Sequence, residues 1–194
     1  MIKKSSKTNK PKALDFDKSL VLFKYFLSLF NSDDFKKFKL NFTNEELENI
    51  DEEGRTGFIK KINLEKLYSD KLTIDKLYEY DENIVKHTKR INEKRSKIIK
   101  WKYFQYLTLL FTEIYLDKYF ENREKLMNEL NEYLKSFIVE NKIDDKYISK
   151  YTFEDLDKLA YWNATGSGKT LILHINILQY DFYVKKTNKY KVNK

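Results

Sequence analysis

The chain has 194 residues, room for one domain or for a domain plus a fragment of another. It contains no cysteine, which excludes disulfides, thiolate metal sites and cysteine nucleophiles and leaves His87 and His174 as the only imidazoles. A hydrophobic share of 41% is too high for a disordered protein, and four glycines with one proline favour helices over sheet. The net charge of +8 invites a nucleic-acid reading, but it belongs to the ends. Residues 1–12 and 185–194 each hold five lysines and no acid, leaving 28 bases against 30 acids between them. These two stretches read as basic tails. No signal peptide opens the chain and no apolar run reaches the about 18 residues of a membrane span, so the expectation is a cytoplasmic protein without a membrane.

In chain order, Asp15 and Asp17 are placed to cap an apolar helix over Leu20 to Phe30. Thr43 and Glu46 have the spacing of a capping box. The stretch around Gly54 and Gly57 reads as a connection. A helix from Thr73 to about Arg95 carries Ile74, Leu77, Ile84 and Ile91 on one stripe, with a charged outer face. Trp101 to Phe120 is apolar on most sides and is the expected central core helix. Leu126, Leu130, Tyr133, Leu134 and Phe137 then follow the helical period closely. Residues 13–150 thus form a helical N-terminal domain.

The register changes at about residue 151. Thr152 with Asp155 can cap a short turn, and Leu159 to Trp162 reads as a strand. Ala164, Thr165, Gly166, Ser167, Gly168, Lys169 and Thr170 follow, and Leu171 to Tyr183 reads as a helix. The glycines permit positive φ and let backbone N–H groups approach phosphate oxygens. Lys169 is placed for the β- and γ-phosphates of ATP, as the catalytic cation, and the Thr170 hydroxyl for Mg²⁺. The strict motif needs a glycine where Asn163 stands. The plain alternative is a glycine-containing turn before a helix.

The A-T-G-S-G-K-T run after an aromatic segment resembles motif I of superfamily 2 helicases, especially the DEAD/DEAH-box branch with type III restriction enzyme motor (Res) subunits. The similar stretches are YDENIVKHTKRINEKR (80–95), KWKYFQYLTLLFTEIYLDKYF (100–120) and LAYWNATGSGKTLILHINILQY (159–180). The resemblance implies a mainly α protein in which the helical domain precedes the first strand, phosphate loop and helix of an incomplete RecA-like α/β domain, residues 151–184. It implies an ATP- and Mg²⁺-dependent motor acting on DNA, with restriction or defence-system subunits as partners. An acidic pair for Mg²⁺ and a second RecA-like domain are expected after motif I, and no acid lies beyond Asp181. The upstream pairs Asp51-Glu52 and Asp81-Glu82 do not substitute. The chain therefore reads as the N-terminal piece of such a motor, one that holds phosphate without hydrolysing ATP by itself. The rival reading is a helical interaction or regulatory module with a vestigial loop.

Gln105 lies 64 residues ahead of Lys169. It is either a plain helical glutamine or the counterpart of the adenine-reading glutamine of many relatives. His87 reads as a surface residue and His174 as a half-buried packing residue. Trp101, Tyr103, Phe104 and Tyr106 read as core. Lys86, Lys89, Arg90, Lys94, Arg95 and Lys97 are either an exposed helix face or a phosphate-contacting one.

Overall fold

The computed structural model describes residues 16–162 and 164–187. The basic tails over 1–12 and 188–194, Asp15 and Asn163 lie outside them. The described chain is mainly helical. Short helices α1 (Phe16–Ser19), α2 (Val21–Leu29), α3 (Phe35–Phe38) and α4 (Gly57–Leu64) precede four of 19 residues each. These are α5 (Ile74–Asn92), α6 (Tyr103–Glu121), α7 (Arg123–Asn141) and α8 (Lys169–Thr187). No strand occurs among the described residues; Ile50 and Thr56 form an isolated bridge. No helix among them is long and apolar enough to cross a membrane.

The periodic helices fall where their patterns put them. Thr73 caps α5, its hydroxyl accepting from the Lys76 N–H at 3.3 Å, and Asn122 caps α7 through the Lys125 N–H at 3.0 Å. Asp155 closes a turn by accepting from both the N–H and hydroxyl of Thr152. Other local expectations are corrected. Helix α2 starts at Val21 with Leu20 as N-cap and has no acid in its first turn. Asn44, rather than Thr43, caps the 3₁₀ turn Glu45–Glu48, because the Thr43 hydroxyl is donated to Leu40 O. The glycine-containing stretch holds a real helix, α4. Gly57 opens it in close contact with Leu47, where a Cβ would lie 2.5 Å from the Leu47 Cα.

Helix α6 is the axis of the core. Leu107, Leu109, Leu110, Phe111, Ile114, Leu116 and Phe120 are all buried, on every side of it, as expected for a helix apolar all round. It is packed by α5, α7 and α8, with α2 adding Phe26 stacked on Phe111. Helix α8 buries Ile172, Ile175, Tyr183 and Val184 in this same core, each worth about 1.5–3 kcal/mol by removal from water. The first two lysines of the predicted C-terminal tail belong to α8. Lys185 pairs with Asp181 and Lys186 with Glu79.

Polar groups buried inside this helical layer fix its register. Asp81 of α5 accepts from the Thr56 N–H and hydroxyl and from the Tyr106 hydroxyl, so this acid is an internal brace. Asp117 of α6 accepts from the Tyr80 hydroxyl and the Lys76 ammonium. Glu113 of α6 is fully buried and its Oε2 accepts from the Tyr183 hydroxyl at 2.7 Å and Asn83 Nδ2 at 3.3 Å. Its Oε1 has no partner. Burial pushes the Glu113 carboxyl up to about 7, against the donors that favour its charge.

The folded Glu113 therefore keeps its proton between about pH 4.5 and 7 while the unfolded one has lost it, and stability falls as pH rises through that window. His87 acts in the opposite direction: burial, then Lys86 and Arg90, hold it down to about 4, so its stabilisation is lost as pH falls from 6.5. Glu113→Gln should raise stability by up to about 3 kcal/mol above neutral pH and change it little near pH 4.5. Urea denaturation at both pH values checks this; an equal difference at each would count against it.

Candidate functional site: the loop ahead of helix α8

The predicted strand ahead of the loop is not a strand. Leu159 and Tyr161 face inward while Ala160 and Trp162 face outward, the latter 83% exposed, so the period-two alternation is present. No ladder partner among the described residues pairs with it, and a strand requires one. The segment is instead fastened to α6. The Tyr161 hydroxyl bonds Thr112 Oγ1, and the Tyr115 hydroxyl donates to Leu156 O at 2.7 Å.

The loop then turns into α8. Gly166 and Gly168 have φ of +79° and +82°, the left-handed conformation that glycine adopts without Cβ strain. Ser167 N–H donates to Ala164 O at 3.3 Å, which closes the turn. Helix α8 begins at Lys169, with Leu171 and Ile172 N–H groups donating to Gly168 O. The first N–H groups of the helix, which no helix satisfies internally, therefore open onto the loop. Lys169 Nζ lies 3.4 Å from Ala164 O, so the lysine folds over its own loop. Thr165 and Thr170 are exposed, and the Ser167 hydroxyl is buried without a hydrogen-bond partner. Such a loop can bind an anion through backbone N–H groups, the helix dipole and one ammonium.

Gln105 is brought to this loop. It stands in the first turn of α6, where its Oε1 accepts from the Lys102 N–H at 2.9 Å. Its Nε2 donates to Ser167 O at 2.8 Å. The contact is so close at Gly168 that a Cβ there would lie 2.5 Å from Gln105 Nε2. The long separation in sequence leaves Gln105 open between a plain helical glutamine and an adenine-side residue, and the fold brings it to the loop. Beside the loop lies a cavity of about 600 Å³, lined by Phe23, Phe104, Phe111, Tyr161 and Trp162, with Ala164 and Ser167 at its edge.

The histidines exchange places relative to expectation. His87 is buried against Phe182 of α8, at 6.2 Å between ring centroids, because α8 covers that face of α5. His174 is exposed on the outer side of α8. Trp101 is core, donating from its indole to Thr88 Oγ1 at 2.7 Å, and Tyr106 is fully buried; Tyr103 and Phe104 are half-buried. Asp51 is spent on a turn, accepting from Arg55 N–H and Lys60. No group of three or more metal-ligating side chains occurs among the described residues. No protein-family model, curated protein or solved structure matches the chain.

The two left-handed glycines differ in their surroundings, and this is measurable. Gly166→Ala meets open space and should cost only the φ penalty, about 1 kcal/mol. Gly168→Ala must also displace Gln105 and should cost about 2–3 kcal/mol. In a Gln105→Ala background the two substitutions should become equally costly in urea denaturation. A persistent excess at Gly168 would mean that Gln105 is not what confines it.

Proposed function

We propose that the chain binds the phosphates of ATP at Ala164–Thr170 and belongs to a nucleic-acid-dependent motor similar to the restriction-type superfamily 2 helicases. The observation that carries this reading is the loop itself: two left-handed glycines, an ammonium at Lys169 and the opening turn of a 19-residue helix in one place. Lys169 exchanges its own Ala164 carbonyl for the β- and γ-phosphates, and Thr170 contributes a hydroxyl to Mg²⁺ that the phosphates themselves hold. Gln105 is the adenine-side residue. Its amide already lies against the loop, and the adjacent aromatic cavity has room for a nucleobase.

The RecA-like part of the reading draws support from apolar surface left exposed. Leu173 and Ile177 recur at helical spacing on α8 and are 56% and 57% exposed, and Tyr180, next on that spacing, is 51% exposed with its ring against Phe120. An amphipathic helix buries such a stripe against a second layer. The alternating residues 159–162, fastened to α6, have no ladder partner among the described residues and could take one, as the first strand of a sheet would. DNA is the proposed substrate of the motor, restriction or defence-system subunits its partners, and the cytoplasm its compartment. Within this chain the proposed role of the loop is to hold phosphate, and among the described residues no group of three or more metal-ligating side chains joins it.

Titration calorimetry with Mg²⁺ and ATP tests the loop. The unaltered chain should bind, and Lys169→Ala should weaken binding at least about tenfold through loss of a charge-assisted contact. Equal binding by the two proteins, or none by either, would leave the loop a structural turn.

A further inference from the structure

The second half of α5 and the segment after it carry a run of cations without carboxylate partners among the described residues; one of them, Lys86, also lies over the Phe182 ring at 5.8 Å. Lys86, Lys89 and Arg90 stand at i, i+3 and i+4, so they project from one side of α5. Lys94, Arg95 and Lys97 continue the run beyond the helix. All six are exposed, and none forms an ion pair among the described residues. The cations just before and beside them are treated differently. Lys76 pairs with Glu79 and Asp117, Lys186 with Glu79, and Lys185 with Asp181. The acids on the run itself, Glu82 and Glu93, are exposed and unpaired as well, fewer than the cations they flank.

The segment after α5 is held rather than loose. Asn92 accepts from Ile99 N–H at 2.9 Å and donates to Ile99 O at 3.4 Å, and Arg95 N–H donates to Asn92 O at 3.0 Å. These bonds tie both ends of the segment to the end of α5, so the later cations stay beside the earlier ones. Burial first, and then the charges of Lys86 and Arg90, hold the buried His87 beneath below its ordinary value, against Asp181. Successive cations on α5 are separated by about 6 Å or less along the helix axis, on the scale of neighbouring phosphates in a nucleic-acid strand.

From this placement we infer that the face formed by Lys86, Lys89, Arg90, Lys94, Arg95 and Lys97 binds the phosphodiester backbone of nucleic acid. A repeating polyanion matches a row of unneutralised cations better than a single small anion does, since each contact releases a counterion. The contacts position the strand and carry no sequence preference. The inference uses no residue of the phosphate loop, and it holds or fails separately from ATP binding.

The test is salt-dependent binding of a labelled single strand and of a duplex of equal length to the full chain, without nucleotide. Two triple variants divide the face: Lys86→Gln, Lys89→Gln, Arg90→Gln on the helix and Lys94→Gln, Arg95→Gln, Lys97→Gln after it. The second lies outside any helix and keeps the test valid if the first weakens α5. Each triple should lower the log–log salt slope by about 2 to 3 for whichever strand form binds. Removing equal charge at Lys36, Lys37 and Lys39, also exposed or half-buried and without an ion pair, should lower it by less than either. The terminal lysines remain in every variant and contribute the same background. Slopes unchanged in both triples, or lowered equally by the control, would overturn the inference. So would polyglutamate binding with the same sensitivity to the triples, since that would make the face a site for acidic proteins. Lys169→Ala should leave the slopes unchanged.

Discussion

The requirement that α6 be enclosed organises the rest of the molecule. A helix apolar on all sides is stable in water only when neighbours cover each of them, and α2, α5, α7 and α8 do so. Covering alone would leave those helices free to slide. The buried polar groups of α6 remove that freedom, because each needs a partner at one height. Tyr106 meets Asp81, Glu113 meets Asn83 and Tyr183, and Asp117 meets Tyr80. Once Tyr183 is pinned to Glu113 and Gln179 to Leu109 O, the N-terminus of α8 has to arrive near that of α6.

The geometry of the loop follows from that arrival. Gln105 serves two helices at once, closing the first turn of its own and holding the backbone that leads into the other. Gly168 is glycine for two reasons, its positive φ and the lack of room for a Cβ, whereas Gly166 has only the first. Substituting residues of α6 far from the loop would thus be felt there through the helix register.

The amount legible in the sequence depends on how local each feature is. Helices α5 and α7 announce themselves by period, and α5 also by Thr73 at its start. Helix α4 does not, since it is short and opens on a glycine whose reason is contact with Leu47, a tertiary fact. The segment 159–162 reads as a strand and is not one among the described residues, because pairing is a property of two segments and one pattern cannot supply the other. Helix α8 is apolar nearly all round, so periodicity could not tell that Ile172 and Ile175 turn inward while Leu173 and Ile177 turn outward. That ambiguity also explains the histidines: His87 is covered, and His174 left out, by the face α8 chooses. The turn at Gly166 and Gly168 ahead of a helix was legible because positive φ asks for glycine at particular positions. Gln105 was legible only as two alternatives, because its partner is reached through the whole helical hairpin of α6 and α7.

Helices α6 and α8 run in the same direction, with contacts advancing together from Gln105 and Ser167 to Glu113 and Tyr183. Their positive ends therefore sit side by side, where aligned macrodipoles repel and neither has a carboxylate in its own first turn. The loop between those ends is in that sense a point of concentrated positive field carried by the fold. An anion resting there would relieve the repulsion between two helices as well as satisfying one of them. Negative charge at that end would act on the central pair of the core, and through it on the helices packed around α6.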